Sequence, residues 1–320
     1  MRLLLGTDEA GYGPNLGPLV VGATAWQVPD EIAPEGMYDA LAEAVCCGPP
    51  AADDPRLAIA DSKQLYKPGT GLAALERGVL AALALLHRQA TCWRQVWACL
   101  DERLDDAWHA HLWHDGYDEP LPIDCCGQDL AAATERLADG CQRRGVQLVG
   151  LQAAVLLPGQ FNDEVQRCGN KAEVLSLTTL TLARRLIAAA AAERVVVLCD
   201  KHSGRAYYAA LIQHVFPDEL VRVRHESAQL GVYELPFEGR QVEFRFLVGG
   251  ERMLPTALAS MTAKYARELA MRPFNAFWQR HVPGLRATAG YPGDARRFLG
   301  EIRRVQRRLK IADRELWRER

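Results

Sequence analysis

The chain has 320 residues, of which 49% are hydrophobic and 24% charged, and its formal net charge is −2. These totals are typical of a globular protein with a sizeable core, and they exclude disordered and collagen-like chains. No run of residues approaches the roughly 18 apolar positions that a membrane span needs, and the carboxylates close to Met1 are unlike a signal peptide.

The nine cysteines are odd in number and form no C-x-x-C pair, which is typical of a reducing compartment. We therefore expect a cytoplasmic protein that does not contact a membrane. We also expect a monomer.

The first 27 residues predict two strands joined by a glycine-rich turn. The runs RLLLGT and LVVGATAW carry the apolar, β-branched and aromatic residues that strands favour, and the stretch between them is rich in Gly, Pro and Asn. A helix is predicted near residues 70–90, where apolar side chains recur on one face at helical spacing. Residues 92–146 are irregular apart from one amphipathic helix near 129–144, and we interpret them as an insertion.

The second half of the chain alternates strands and helices. The run VQLVGLQAAVLL predicts a strand, residues 171–193 predict a long helix, and VVVLCD (195–200) predicts a buried strand that ends at a carboxylate. Ser203 is a candidate cap for the next helix, RAYYAALIQHV. Residues 219–248 predict strands and a hairpin. The following helix is predicted to begin at Pro255 and to end at Pro273. This alternation favours an α/β fold.

The last 25 residues are the most basic part of the sequence. Residues 296–320 contain ten Lys or Arg against four Asp or Glu, and the apolar residues of this segment fall on one helical stripe. A packed helix with a solvated basic face is the simplest interpretation, and a surface that follows a nucleic-acid backbone is the alternative. We therefore expect a catalytic domain over 1–290, with the 92–146 insertion and a hairpin insertion near 219–245, and a basic helical segment over 291–320.

Four carboxylates follow predicted strands at three places in the chain, namely Asp8 with Glu9, Asp200, and Glu251. If several of them converge, they repel each other and stay ionised only when cations hold them together, and all-oxygen ligands suit Mg²⁺ or Mn²⁺. Because adjacent strand residues point to opposite faces, Asp8 and Glu9 can serve one site only if the chain leaves regular strand geometry there. Gly11 and Gly13 would permit that departure, although an ordinary surface turn remains the alternative.

Six segments of the sequence, in chain order, resemble the motifs of the ribonuclease HII and HIII family. DEAGYGPNLGPLVV is similar to the family's opening glycine-rich motif, and ADSKQL resembles its D-S-K motif. FNDEVQRCGNKAEVLSLTTLTLARRLI is similar to the helix entry before the third catalytic Asp, and VVVLCD to the strand that bears this Asp. GGERMLPTALASMTAKYARE and AGYPGDARRFL resemble the last two motifs. The resemblance implies a ribonuclease H-like α/β fold, in which a mixed sheet is flanked by helices, with insertions.

The resemblance also implies roles for individual residues. Asp8, Glu9, Asp200 and Glu251 would bind two divalent ions, with Asp8 between them. Gly11, Tyr12, Gly13 and Tyr291 would read the ribose, whose 2′-hydroxyl distinguishes RNA from DNA. Lys63, Ser260 and Lys264 would contact backbone phosphates. The implied activity is Mg²⁺- or Mn²⁺-dependent hydrolysis of the RNA strand, or of embedded ribonucleotides, in RNA–DNA duplexes.

Three positions depart from the family pattern. Tyr12 stands where the family has Arg or Lys, Glu251 stands where it has Asp, and Lys201 follows the third catalytic Asp instead of Gly. Glu226 is a rival for the fourth ligand, whereas we interpret His202 as a solvated loop residue. Two alternatives stay open: a divergent nuclease with an altered nucleic-acid substrate, and a protein that binds hybrid or structured nucleic acid without cutting it.

Overall fold

The computed structural model describes residues 1–51, 53–67, 69–101, 104, 111–202 and 205–319. Its centre is a seven-stranded mixed sheet in the order β5-β2-β1-β6-β9-β8-β7. The strands of this sheet are β1 (Arg2–Ala10), β2 (Leu19–Val28), β5 (Gln147–Leu156), β6 (Arg194–Asp200), β7 (Arg222–Glu226), β8 (Leu230–Phe237) and β9 (Arg240–Leu247). A two-stranded sheet contains β3 (Val45–Cys46) and β4 (Leu57–Ala58). The predicted mixed α/β architecture is confirmed.

Helices cover both faces of the central sheet. They are α1 (Met37–Ala40), α2 (Ser62–Leu65), α3 (Ala73–Leu85), α4 (Trp93–Leu100), α5 (Gly127–Arg144), α6 (Pro158–Cys168), α7 (Lys171–Ala189), α8 (Ala209–Val215), α9 (Leu254–His281), α10 (Pro292–Arg308) and α11 (Asp313–Leu316). One large core lies between the sheet and α3, α4, α5 and α9, and a second lies between the sheet and α6, α7 and α8. Among the described residues, no helix has both the length and the apolar character of a membrane span.

The parallel strands at the centre of the sheet set the position of its functional edge. Strand β1 pairs with β2 in antiparallel register and with β6 in parallel register, and β6 pairs in parallel with β9. The three strands β1, β6 and β9 therefore end on one side. The hairpin predicted near 219–245 is continuous with this sheet, because β8 pairs with β9 and β7 with β8.

Helix α9 packs directly against strands β1 and β2. A side chain at Gly6 of β1 would overlap the carbonyl carbon of Pro255, so only glycine allows this approach. The hydroxyl of Thr24 in β2 also donates a hydrogen bond to the Pro255 carbonyl at 2.8 Å. These contacts fix the first turns of α9 directly against β1 and β2.

The predicted end of α9 at Pro273 is wrong, since the helix continues to His281 with Pro273 inside it. A proline has no N–H to donate, so the carbonyl of Leu269, four residues earlier, loses its helical partner. The indole N–H of Trp93 donates to that carbonyl at 2.9 Å instead. The residues beyond Pro273 are then held by burial, with Phe274, Phe277 and Trp278 in a third apolar cluster.

Two further predictions differ from the structure. Strand β1 runs to Ala10, three residues beyond the predicted RLLLGT run, because its pairing with β2 continues through Glu9 and Ala10. Helix α8 begins at Ala209, four residues later than predicted. The proposed cap Ser203 lies outside the described residues.

Residues 311–319 do not project from the domain. Leu16 and Trp317 form an antiparallel bridge, and the backbone N–H of Arg318 donates to the Asn15 carbonyl at 2.8 Å. The amide of Asn162 in α6 donates to the Trp317 carbonyl at 2.9 Å. This segment therefore packs between α6 and the glycine-rich turn.

The boundaries of the predicted domain and insertions stay a prediction.

Candidate active site

Three carboxylates from separate parts of the chain meet at the shared edge of β1, β6 and β9. The last residue pair of the β1–β6 ladder is Thr7 and Cys199, so Asp8 and Asp200 follow it side by side. Glu251 lies in the short 3₁₀ turn Gly250–Arg252, just after β9. One carboxylate oxygen of each of Asp8, Asp200 and Glu251 lies within 4.8 Å of the others. We call these three residues the acidic cluster.

Local hydrogen bonds fix the members of the acidic cluster. The backbone N–H of Gly250 donates to Asp200 Oδ1 at 2.8 Å. The hydroxyl of Ser260 donates to the hydroxyl of Ser62 at 3.0 Å, and Ser260 also favours the ionised form of Asp8. The Nζ atom of Lys63 is 3.2 Å from Glu251 Oε1. The cluster is therefore positioned by the start of α9, by α2 and by the turn after β9.

Burial and mutual repulsion raise the pKa values of the acidic cluster. Burial raises the pKa of Asp8 well above its ordinary range, and the nearby Glu9 and Glu251 charges add to the rise. Burial also raises the pKa of Asp200 to about 6, with the Glu251 charge opposing its ionisation further and the Gly250 N–H favouring it. Clustered carboxylates with raised pKa values and oxygen-only donors fit a divalent cation such as Mg²⁺ or Mn²⁺.

Lys63 is the cation that contacts this cluster. Burial of the ammonium opposes its charge, but the charges of Asp61 and Glu251 outweigh that effect and raise the pKa of Lys63. The Lys63 side chain is 77% exposed, so it can also reach a ligand in solvent while it remains beside Glu251. The sequence reasoning assigned Lys63 to phosphate binding, and the structure places it next to the carboxylates.

Glu9 stands beside the acidic cluster but is not one of its three members. The chain keeps regular strand geometry at Asp8 and Glu9, because Glu9 pairs with Val21 and the strand continues to Ala10. Burial nevertheless raises the pKa of Glu9 to about 7, and the Asp200 charge contributes next. Glu9 is thus close enough to Asp200 to interact with it while belonging to a regular strand.

Glu226, the rival for the fourth ligand, lies elsewhere. The hydroxyl of Tyr233 donates to Glu226 Oε1 at 2.7 Å, and Glu226 is not among the carboxylates that meet Asp8 and Asp200. Of the two candidates, the structure brings Glu251 to the cluster.

The glycine-rich turn after β1 begins at Gly11, whose φ of +88° favours glycine. A side chain at Gly11 would also crowd Arg267 Nε and the Pro18 carbonyl, each 2.5 Å from the Cβ position. A Cβ on Gly13 would lie 3.7 Å from the ring of Tyr291, which is 55% exposed. The structure therefore brings Tyr291 close to Gly13 of the predicted ribose-reading residues. Tyr12, between the two glycines, carries no charge.

Two buried arginines brace this turn, and sequence reasoning missed both roles. Arg318 donates to the carbonyls of Gly11 and Pro14, and Arg267 donates to the Leu16 carbonyl at 3.3 Å. Both side chains are only 2% exposed. Burial, followed by the Arg267 charge, lowers the pKa of Arg318 to about 9. Basic residues near the end of a sequence usually indicate a solvated surface, so no sequence signal pointed to the contact of Arg318 with the glycine-rich turn.

The remaining predicted phosphate contacts lie along α9. Ser260 touches the acidic cluster, whereas Lys264 one turn later is paired with Glu268 at 2.5 Å. The Lys264 ammonium also lies 4.5 Å from the centre of the Tyr66 ring. A phosphate would therefore have to compete with Glu268 for Lys264.

The interpretation of His202 as a solvated loop residue is wrong. His202 is 4% exposed rather than solvated, and its Nδ1 is 2.9 Å from the hydroxyl of Ser176. Burial, together with the Arg205 charge, lowers the pKa of His202 to about 3, so the imidazole is neutral. It anchors the loop after Asp200 to α7.

No family model matches the chain, and no curated protein matches it. Among solved structures, it is similar to the ribonuclease H2 of Pyrococcus horikoshii OT3, at 13% identity and a TM-score of 0.44, over 98% of this chain and 92% of that one. It is similar to a PCNA:RNase HII complex from Archaeoglobus fulgidus, at 15% identity and a TM-score of 0.43, over 99% and 94%. A Bst-RNase HIII structure with Mn²⁺ matches at 17% identity and a TM-score of 0.40, over 99% of this chain and 66% of that one.

Proposed function

We propose that this protein is a metal-dependent endoribonuclease of the ribonuclease HII/HIII type that hydrolyses the RNA strand, or embedded ribonucleotides, in RNA–DNA duplexes. The observation that carries the proposal is the meeting of Asp8, Asp200 and Glu251 within 4.8 Å. These residues come from three of the segments that resemble the family's motifs. The nine cysteines, all free thiols, fit a cytoplasmic location.

The chain's own residues would divide the work as follows. Asp8, Asp200 and Glu251 would hold Mg²⁺ or Mn²⁺, with Glu9 beside Asp200 as a fourth carboxylate. A divalent ion bound there supplies an activated water and stabilises the leaving oxygen in phosphodiester hydrolysis. The backbone of the Gly11–Gly13 turn and the ring of Tyr291 would recognise the ribose, because a 2′-hydroxyl at this point separates RNA from DNA.

The test is cleavage of a labelled DNA duplex that contains one ribonucleotide, with Mg²⁺ or Mn²⁺ and then with excess chelator. We expect cleavage only with metal, and we expect Asp8→Asn to lose more than about a hundredfold of the activity, since even residues behind metal ligands cost 10- to 100-fold. Glu226→Gln is the matched control and should stay within about threefold of the parent.

Other outcomes would contradict the proposal. Turnover retained by folded Asp8→Asn, or cleavage in chelator, would remove the metal assignment. Cleavage of plain DNA or RNA duplexes would favour a nuclease with an altered substrate, which is the alternative that the uncharged Tyr12 suggests. Tight binding of the hybrid with no cleavage under any metal would favour a non-catalytic binding protein.

A further inference from the structure

No residue of the glycine-rich turn is a cation. Arg267 and Arg318 brace its backbone from the buried side, and a lysine lies against the ring of Tyr12. The Lys171 ammonium is 4.6 Å from the centre of the Tyr12 ring, a cation–π distance. Lys171 is the first residue of α7, and the side chain of Asn170 caps this helix by accepting a hydrogen bond from the Glu173 N–H at 2.9 Å. The position of Lys171 is therefore set by a long, capped helix rather than by the turn.

The Tyr12 ring connects this lysine to the acidic side of the site. Burial and the Glu9 charge raise the pKa of the Tyr12 hydroxyl, which places the ring within electrostatic reach of Glu9. Tyr12 also directly follows Gly11, where the strand ends. The ring of Tyr12 thus contacts the Lys171 ammonium, and its hydroxyl responds to the charge of Glu9.

Electrostatics explains why a cation is needed at this place. In the metal-free protein, a nucleic-acid strand that reaches the acidic cluster brings negative phosphates next to buried carboxylates, and these like charges repel each other. Lys63 offsets this repulsion on the Glu251 side, where its Nζ is 3.2 Å from the carboxylate. On the side of the glycine-rich turn, Tyr12 supplies a surface but no charge, and Lys171 supplies three N–H donors on a flexible stem.

We propose that Lys171, held across the ring of Tyr12, is the phosphate-contacting residue of the glycine-rich turn and sets the affinity for the substrate strand next to the cleaved bond. This inference rests on the proposed function for the identity of the substrate. Tyr12 acts as a positioning residue for the ammonium. Together, Tyr12 and Lys171 would place a positive charge against the phosphate, as a single cationic residue in the turn would.

The experiment compares Lys171→Ala, the double variant Tyr12→Lys with Lys171→Ala, and Lys67→Ala as a matched control at an exposed lysine. The substrate is the duplex with one ribonucleotide, and kcat and KM are measured from 50 to 200 mM salt. We expect Lys171→Ala to raise KM about tenfold with kcat nearly unchanged, and to reduce the salt slope of log(kcat/KM) by about 1, as the loss of one phosphate contact does. The double variant should recover most of the lost KM and slope, and Lys67→Ala should match the parent.

Binding of the same duplex is measured in parallel by fluorescence anisotropy in chelator, so that the inference is decided even if the parent does not cut. Failure of the proposed function would appear as no cleavage by the parent. Failure of this inference would appear as a Lys171→Ala variant with the parent's affinity and salt slope, or as a double variant no better than the single one. A loss seen in Arg205→Ala instead, since the Arg205 charge also acts on Tyr12, would likewise overturn the assignment.

Discussion

Replacing Glu9 by Gln should stabilise the metal-free protein at alkaline pH. Burial and the Asp200 charge raise the pKa of Glu9 from 4.5 to about 7 in the folded protein, so the folded state holds a proton that the unfolded state has released. The stability that this proton supplies is present below about pH 4.5 and is lost as the pH rises through 7. Glutamine cannot ionise, so the variant avoids this loss.

The size of the effect follows from the same two pKa values. The difference between them corresponds to about 3 kcal/mol of unfolding free energy at pH 8 and to less than about 1 kcal/mol at pH 5. Because Glu9 is only partly buried, solvent screening reduces the figure at pH 8 to about 2 kcal/mol. Urea unfolding in chelator, at both pH values, measures the difference between Glu9→Gln and the parent.

The control is Glu135→Gln, which changes an exposed glutamate on α5 and should leave the unfolding free energy unchanged at both pH values. Added Mn²⁺ should reduce the advantage of Glu9→Gln, because the parent then uses the same carboxylates to bind the ion. Equal stability of variant and parent at pH 8, or a less stable variant there, would refute the description of Glu9 as a buried, repelled carboxylate.

Two further predictions concern the ion and the turn. The rise in melting temperature caused by Mn²⁺ should be larger at pH 8 than at pH 5.5, because protons occupy carboxylates of pKa about 6 to 7 at the lower pH and compete with the metal; an equal rise at both values, measured by thermal unfolding, would contradict this. Arg318→Met should cost about 2 kcal/mol, since it removes the buried donor to the Gly11 and Pro14 carbonyls. It should also speed hydrogen exchange at the Asn15 amide, which donates to Gly290 at 2.7 Å, and exchange unchanged from the parent would show that Arg318 does not brace the turn.

Periodicity and strand-end carboxylates were enough to predict much of the fold. The VVVLCD strand and the long helix after Asn170 are where the sequence indicated, because a buried strand and an amphipathic helix each depend on a local pattern. The end of α9 depends on a distant partner, since Trp93 satisfies the carbonyl that Pro273 leaves free. No pattern near Pro273 carries that information.

The candidate site likewise contains residues that the sequence could identify and residues that it could not. The acidic residues could be singled out because each follows a predicted strand. Only the parallel pairing of β1 with β6, and of β6 with β9, brings Asp8, Asp200 and Glu251 together. Arg318 could not be singled out, because a buried arginine more than 300 residues from its acceptors looks like any basic residue of a surface helix. Side chains that donate hydrogen bonds to distant backbone carbonyls recur at no characteristic spacing in a sequence.

The bond from Trp93 to the Leu269 carbonyl also bears on how this chain can be shortened. Helix α4, which carries Trp93, belongs to the segment 92–146 that the sequence predicts to be an insertion. Excising that segment would remove the Trp93 indole N–H and leave the buried carbonyl of Leu269 in α9 without a hydrogen-bond donor, a few turns from Ser260. Replacing Pro273 by a residue with an N–H would return a helical donor to that carbonyl, so the cost of removing Trp93 should be smaller when the proline is also replaced.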